Sequence, residues 1–432
     1  MIKNKVTYLL IAIFAFRLVF GFTSEFWFPD ELQIYLLGLK WYTTGIWPTY
    51  GPDVVYTQTQ IPGALQSILV GASFFVLPIP ESPFILLNVL SFISILGLIN
   101  YGHKLTPNLP KPWLYLLVFT LPWTLNYTTR ICNPSYALLF SIPFFIAFLE
   151  LIPQFSKQVL KPWLASLIMG IATTFIMQLH LSYVLLIPFA GFAFVIHFIN
   201  NKRGIVLPFS TYLIGLLIGS ATLIPTLLHP DVMAKSVASN VVVNWKNFEN
   251  FITILMRFLS FASYEIPYML GGGTAERLVV LKDQLWMTPF AIILLLTGFA
   301  QIALFVFSFF LIKNKPRFSW LKWIVFFTWL MLFASFFFSV KGPSSHTFYM
   351  LLPLPVLYSF YAYQYFLERY PKWLIYFKVM IVCSVFFHIG LAMYSTHTRS
   401  LYLDRNKVVK AIEQKDYKIL GNRRADDWGY GY

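Results

Sequence analysis

The sequence predicts an all-α polytopic membrane protein, a bundle of about eleven transmembrane helices with external juxtamembrane helices and a short external C-terminal tail. Three observations carry that expectation. Only 11% of the 432 residues are charged and 58% are hydrophobic, whereas soluble domains carry roughly 25% charged residues. The apolar residues fall into runs of about the 20 residues that cross a bilayer as helix. The lysines and arginines sit in short loops between those runs, which is a topology signal. The formal net charge of +15 therefore does not describe a nucleic-acid surface. Aromatic residues make up 19% of the chain, and Trp and Tyr gather near run ends, as interfacial belts do. Cys132 and Cys383 lie far apart in the chain, so neither a disulfide framework nor a cysteine metal site is expected.

In chain order, residues 6–22 form the first span, and Lys3 and Lys5 before it place the N-terminus in the cytoplasm. This run continues into an aromatic loop with no small-residue cleavage site, so it does not read as a cleaved signal. Residues 23–60 are then external. The run Ile61–Leu77 is ambiguous, because no lysine or arginine flanks it. If it crossed the bilayer, Lys104/Lys111, Lys157/Lys161, Lys202/Arg203 and Lys313/Lys315/Arg317/Lys322 would all lie outside. As a juxtamembrane helix on the outer surface, residues 61–77 leave all of them in the cytoplasm, which the positive-inside rule selects. Spans follow at 83–101, 112–129, 135–152, 163–179, 181–198, 206–228, 286–312, 320–339, 350–366 and 373–394.

The transmembrane domain thus covers 1–394, with a first external loop at 23–82 and a long external loop at 229–285. A short external tail, 395–432, follows. Within the long loop, residues 245–264 read as an interfacial helix with Phe248, Phe251, Ile252, Leu255, Phe258 and Leu259 on one face. In the tail, Asp404–Glu413 reads as an amphipathic helix and Lys418-Ile419-Leu420 as a short strand. No fixed-period repeat is present.

The strongest chemical signal lies in the first external loop, at Phe26-Trp27-Phe28-Pro29-Asp30-Glu31-Leu32-Gln33. A carboxylate near the hydrocarbon boundary is costly unless paired or watered, so such acids are functional candidates. Adjacent carboxylates repel, which favours proton-transfer work. The structural alternative is a helix start, with Pro29 at the first position and acids complementing the dipole. Both readings can hold at once, since a helix start is a rigid platform.

The segment Phe28-Pro29-Asp30-Glu31-Leu32-Gln33 resembles the first-external-loop motif of the GT-C glycosyltransferases. It is similar to the His-Pro-Asp-Glu pattern of mannosyltransferases that build dolichol-linked glycans and GPI anchors, with Phe28 in place of the histidine. It also resembles the Asp-Glu motif of protein O-mannosyltransferases and aminoarabinose transferases. Gln60-Ile61-Pro62-Gly63-Ala64-Leu65 resembles the start of their juxtamembrane helix, and Phe348-Tyr349-Met350-Leu351-Leu352-Pro353-Leu354-Pro355 a late Pro-containing helix of the same class. The resemblance implies a GT-C-type bundle, a polyprenyl-phosphate sugar donor, a lipid-linked glycan or protein acceptor, and an inverting transfer at an external site. On it, Asp30 matches the base and Glu31 the neighbour that positions base or acceptor. Gln33 ends the motif and joins the substrate-binding candidates.

Phosphate-binding candidates are Arg130 in the second external loop, Lys341 and His346 in the last external hairpin, Arg257 in the long loop and His180 at a helix turn. Each has a plainer reading: a solvated turn for Lys341 and His346, a structural histidine for His180, a headgroup contact for Arg257. Arg17, near the outer end of the first span, can snorkel or pair with an external acid. Asn133 stands where the family places an acid after its arginine. Asn is a weak neutral oxygen ligand, so a divalent cation is disfavoured and no metal ligands are assigned. Gly271-Gly272-Gly273 reads as a hinge. A transporter, flippase, polymerase or ligase of lipid-linked glycans is the alternative function, and an accessory subunit a third. Length and the absence of targeting signals point to a bacterial cytoplasmic membrane with the site facing outside.

Overall fold

The computed structural model describes residues 2–24, 29–54, 59–229, 243–261, 263, 266–271, 273–313, 315–338, 349–398 and 401–421. Each of the eleven apolar runs coincides with helical structure. Among the described residues, seven segments are long and apolar enough to cross a membrane by length and composition: Lys5–Ser24, Ser82–Leu105, Leu181–Asn200, Val206–Leu227, Leu285–Leu311, Pro316–Phe336 and Pro371–Thr398. Asn133–Leu151 and Pro162–Met177 are apolar but contain only 19 and 16 residues. Pro353–Arg369 has 17 residues, and Tyr358, Tyr361, Tyr363 and Tyr365 lower its hydropathy.

The remaining run, 112–129, is broken into Lys111–Thr120 and Pro122–Thr128 at an extended Leu121. Pro122 has no N–H to donate, and the bend takes the next donors out of register, so the carbonyls of Val118, Phe119 and Thr120 lose their helical partners. An unsatisfied carbonyl in hydrocarbon costs several kcal/mol, so other donors are needed. The Thr124 hydroxyl donates to Val118 O at 2.5 Å, Arg17 Nη1 to Phe119 O at 2.9 Å, and the Ser384 hydroxyl to Thr120 O. Arg17 also reaches Thr124 O at 3.3 Å and the Thr128 hydroxyl at 2.5 Å, and it is fully buried. The expectation that Arg17 snorkels or meets an external acid is thereby corrected: it holds a broken helix together.

The first loop folds as a unit against this bundle. Helix Pro29–Thr44 is followed by an antiparallel hairpin, Tyr50–Val54 with Thr59–Pro62, in which Tyr50 pairs with Pro62 and Asp53 with Gln60. Helix Leu65–Val76 then has 12 residues, about 18 Å of helix against a hydrocarbon core of about 30 Å. It crosses Pro29–Thr44 where Gly38 meets Gly71: a Cβ on Gly38 would lie 2.6 Å from Gly71 N, and one on Gly71 2.7 Å from Gly38 O. Only glycine at both positions allows that approach.

The tail helix, Leu401–Glu413, packs on the same unit. Its Val408, Ala411 and Ile412 share a core with Leu32, Tyr35, Leu36, Leu39, Leu65 and Phe74. The expected strand at Lys418–Leu420 is instead a 3-10 turn, Tyr417–Leu420, because Asp416 accepts from Lys418 N–H at 3.0 Å and caps it. The expected interfacial helix at 245–264 is described as a 3-10 turn, Trp245–Asn250, followed by a helix, Phe251–Leu259; residues 262 and 264 lie outside the described residues. Phe251 packs on Trp329 and Phe333, while Asn247 donates to Phe336 O at 2.8 Å. Phe258 is buried, and Phe248 and Ile252 remain exposed.

Replacing Arg17 by Leu leaves the Phe119 carbonyl without its donor in a dry interior. It is expected to lower stability by about 3 kcal/mol, measured by unfolding in detergent. Val19→Ala, at a position 59% exposed on the same helix, is expected to shift it by less than ~0.5 kcal/mol.

Candidate active site

Pro29 opens the motif helix at the position where its missing N–H costs nothing. The backbones of Asp30 and Glu31 therefore sit in the first helical turn, and Glu31 is half-buried. The Asp30 side chain lies outside the described residues, as do Lys341 and His346. One turn further on, Gln33 is buried and clamped. Its Nε2 donates to Asp53 Oδ2 at 2.7 Å, and its Oε1 accepts from Asp53 N–H at 3.2 Å. Gln60, across the hairpin, donates to Asp53 Oδ1 at 3.2 Å. Gln33, a substrate-binding candidate by its place in the motif, thus engages both amide atoms with the hairpin. Hydrogen bonds to a charged group contribute about 1.5–3 kcal/mol each, so this clamp fixes the direction of the turn that carries Asp30 and Glu31.

Further anchors act on the same helix. Tyr35, fully buried, donates to Pro80 O at 2.9 Å. Burial, with the Glu81 carboxyl nearby, holds its phenol well above the ordinary tyrosine range, so it stays a donor. Arg405 of the tail helix meets Glu81 at 2.6 Å, and Lys415 Nζ lies 3.3 Å from the Tyr42 ring centroid. Such partly exposed charge contacts contribute under about 1 kcal/mol; the apolar tail contacts contribute more.

The hairpin is in turn fastened to the bundle. Gly63 has φ +97°, a region that favours glycine. Gly63 N–H donates to the Thr226 hydroxyl at 2.9 Å, and Ala64 N–H to Thr222 O at 3.1 Å. Gln178, fully buried, accepts from the Thr222 hydroxyl at 2.7 Å and donates to Gly219 O at 3.0 Å. A Cβ at Gly63 would fall 2.3 Å from Gln178 Oε1.

Arg130 is also buried at this end of the bundle. Its Nε donates to the Ser24 hydroxyl at 3.2 Å, and its guanidinium lies 5.4 Å from the Phe20 ring centroid. Ile131 beside it belongs to the same core as Leu32, Ile34 and Tyr35, which places Arg130 next to the motif helix. Phe20 also meets His388 edge to face, 5.1 Å between ring centroids, and His388 Nε2 lies 2.9 Å from Asn126 Nδ2. Asn126 in turn lies 3.3 Å from the Met269 sulfur. Asn126 and His388 were not singled out from the sequence, although a lone polar or ionisable residue in an apolar helix is the signal that finds them.

His180 follows Leu179, which shares the motif-helix core. Its Nδ1 accepts from Ser182 N–H at 3.1 Å, capping the turn Leu181–Leu186. Burial lowers its imidazole to about 4, so near neutral pH it offers a hydrogen bond and no charge. Arg257 lies in the last turn of helix Phe251–Leu259. It and Arg277 flank Tyr268, 5.5 and 5.0 Å from the ring centroid. The chain neighbours of Glu31, Gln33, Arg130 and His180 thus share one core, whereas Ile254 and Phe258 beside Arg257 belong to the other. Asn133 is described only in its backbone, at the start of Asn133–Leu151. Among the described residues, no three of His, Cys, Asp and Glu gather as metal ligands do.

Gly63→Ala combines a strained φ with a clash and is expected to destabilise the hairpin by about 2 kcal/mol or more, seen as faster limited proteolysis between residues 44 and 62. Gly45→Ala has φ +70° but open space, and is expected to cost about 1 kcal/mol.

No family model matches the sequence, and no curated protein matches it. Among solved structures, the chain superposes on ArnT from Cupriavidus metallidurans bound to undecaprenyl phosphate. The TM-score is 0.52 at 9% identity, covering 92% of this chain and 76% of that one. With ArnT from the same organism in the apo state, the TM-score is 0.54 at 9% identity, covering 98% and 79%. The protein is a polytopic membrane protein with a GT-C-type fold.

Proposed function

We propose that the protein is an integral membrane glycosyltransferase that moves a sugar from a polyprenyl-phosphate donor to a lipid-linked glycan or protein acceptor. The observation that carries this reading is the Asp-Glu pair at the start of a helix fixed by the Gln33–Asp53–Gln60 clamp, with buried Arg130 beside it. The fold supports it, since one structural neighbour was crystallised with undecaprenyl phosphate.

In the proposed step the Asp30 carboxylate takes the proton of an acceptor hydroxyl while that oxygen attacks the anomeric carbon. The bond from that carbon to the phosphate oxygen breaks, and polyprenyl phosphate leaves with the electron pair. Attack opposite the leaving group inverts the anomeric centre. Arg130, buried beside Ser24 and Phe20, is the cation assigned to the departing phosphate. His180 donates a hydrogen bond as a neutral imidazole, and Lys341, His346 and Arg257 complete the candidate set. Glu31 orients the acceptor or Asp30. The site faces the outside of a bacterial cytoplasmic membrane, because that orientation keeps the short basic loops with Lys104/Lys111, Lys157/Lys161, Lys202/Arg203 and Lys313/Lys315/Arg317/Lys322 inside.

With polyprenyl-phosphate mannose, glucose or arabinose as donor, Asp30→Asn is expected to lower transfer by about 10²–10⁴-fold. Glu31→Gln is expected to lower it less. Full activity in both variants would remove the assignment. Single cysteines replacing Pro62 and Pro80 are expected to react with an impermeant maleimide from the same, outer side; labelling from opposite sides would invert every later loop.

A further inference from the structure

A groove of about 840 Å³ opens between Asn133–Leu151, Ile187–Asn200 and Pro316–Phe336. Phe148, Phe189, Phe192, Trp320, Trp323 and Phe327 form its wall. Ring contacts run along it: Phe148 and Phe189 are 5.3 Å apart, Phe192 and Trp320 6.3 Å, and Trp323 and Phe327 6.2 Å. Trp323 and Phe327 are exposed, so the groove opens sideways into hydrocarbon. It runs from Pro316 and Ser319 up to Met331, about 22 Å at a rise of ~1.5 Å per residue.

The Pro316 end lies away from the Asp-Glu motif. Helix Ser82–Leu105 starts beside Tyr35, which bonds Pro80, and ends beside Glu150, which accepts from Tyr101. Three loops meet at that far end. Arg317 donates to Phe155 O at 2.9 Å and Ser156 O at 3.2 Å, and Gln154 donates to Asn200 at 2.9 Å. The loops so joined, 152–161, 200–205 and 312–317, carry Lys157, Lys161, Lys202, Arg203, Lys313, Lys315 and Arg317 and no acid. The nearby carboxyls are engaged. Glu150 accepts from Tyr101, Ser156 and the N–H groups of Lys157 and Val159; Glu368 accepts from Asn108 and Gln364.

We infer that this groove binds an anionic diacyl phospholipid, with an acyl chain along the aromatic wall and the phosphate among the lysines. An apolar trough ending in a basic rim, whose three loops carry no acid of their own, matches that molecule in shape and charge. A zwitterionic lipid, whose ammonium offsets its phosphate, gains less from the rim. A polyprenyl-phosphate donor seated here would hold its phosphate at the wrong end of the bundle for Asp30. The inference goes beyond the proposed transfer reaction and does not depend on it.

The test uses the full-length protein in phosphatidylcholine vesicles containing a graded series of mole fractions of chain-brominated phosphatidylglycerol or of chain-brominated phosphatidylcholine. Bromine quenches nearby tryptophan, and the difference between wild type and Trp320→Phe/Trp323→Phe isolates the groove signal. Brominated phosphatidylglycerol is expected to quench that signal at roughly tenfold lower mole fraction. The preference is expected to shrink in 0.5 M salt, and in Lys157→Gln/Lys202→Gln/Lys313→Gln. The salt series needs no variant, so misfolding of the triple variant leaves the test intact. Equal quenching by both lipids overturns the inference, as does displacement by unlabelled polyprenyl phosphate but not by unlabelled phosphatidylglycerol.

Discussion

The Asp53 carboxyl, held by the amides of Gln33 and Gln60, is the interaction on which the candidate site depends. A carboxyl buried near a membrane is costly unless hydrogen-bonded, so the helix Pro29–Thr44 and the hairpin Tyr50–Pro62 cannot shift independently. The hairpin continues at Gly63 and Ala64 into hydrogen bonds with Thr226 and Thr222, and Gln178 closes the seam. The first turn of the motif helix therefore inherits its position from the bundle. A reacting group in a transferase needs that kind of fixed support, because small misplacements cost large factors in rate.

The same requirement, that no polar group be left dry, explains the break at Leu121–Pro122. Proline removes a donor, and Arg17, Thr124 and Ser384 supply replacements from three different helices. That break turns Asn126 toward His388 and Met269 and leads into Arg130. An apparent defect in a span is thus what delivers the second loop, and its arginine, to the neighbourhood of the motif helix.

Much of this was legible in the sequence, and the reasons for the misses are physical. Apolar run length and loop charge gave the eleven segments because hydrocarbon imposes both. Pro29 followed by two acids marked a helix start, and the helix begins there. The clamp was not legible: Gln33, Asp53 and Gln60 are separated in sequence, and only the hairpin register that pairs Asp53 with Gln60 brings them together. Arg17 was misread because its partners are carbonyls, which carry no sequence signature. Lys418–Leu420 has strand-like residues, but Asp416 caps a turn there. Arg257 lies in a segment whose place depends on packing against Trp329 and Phe333 through Phe251.

The central claim is that one carboxylate, fixed at the start of the motif helix, deprotonates the acceptor for a single displacement. The stereochemistry of the product tests it most directly. With a polyprenyl-phosphate sugar of defined anomeric configuration as donor, the glycosidic bond formed by the purified protein, read by nuclear magnetic resonance, is predicted to have the opposite configuration. A product that retains the donor's configuration would require a covalent or front-face route and would contradict the account.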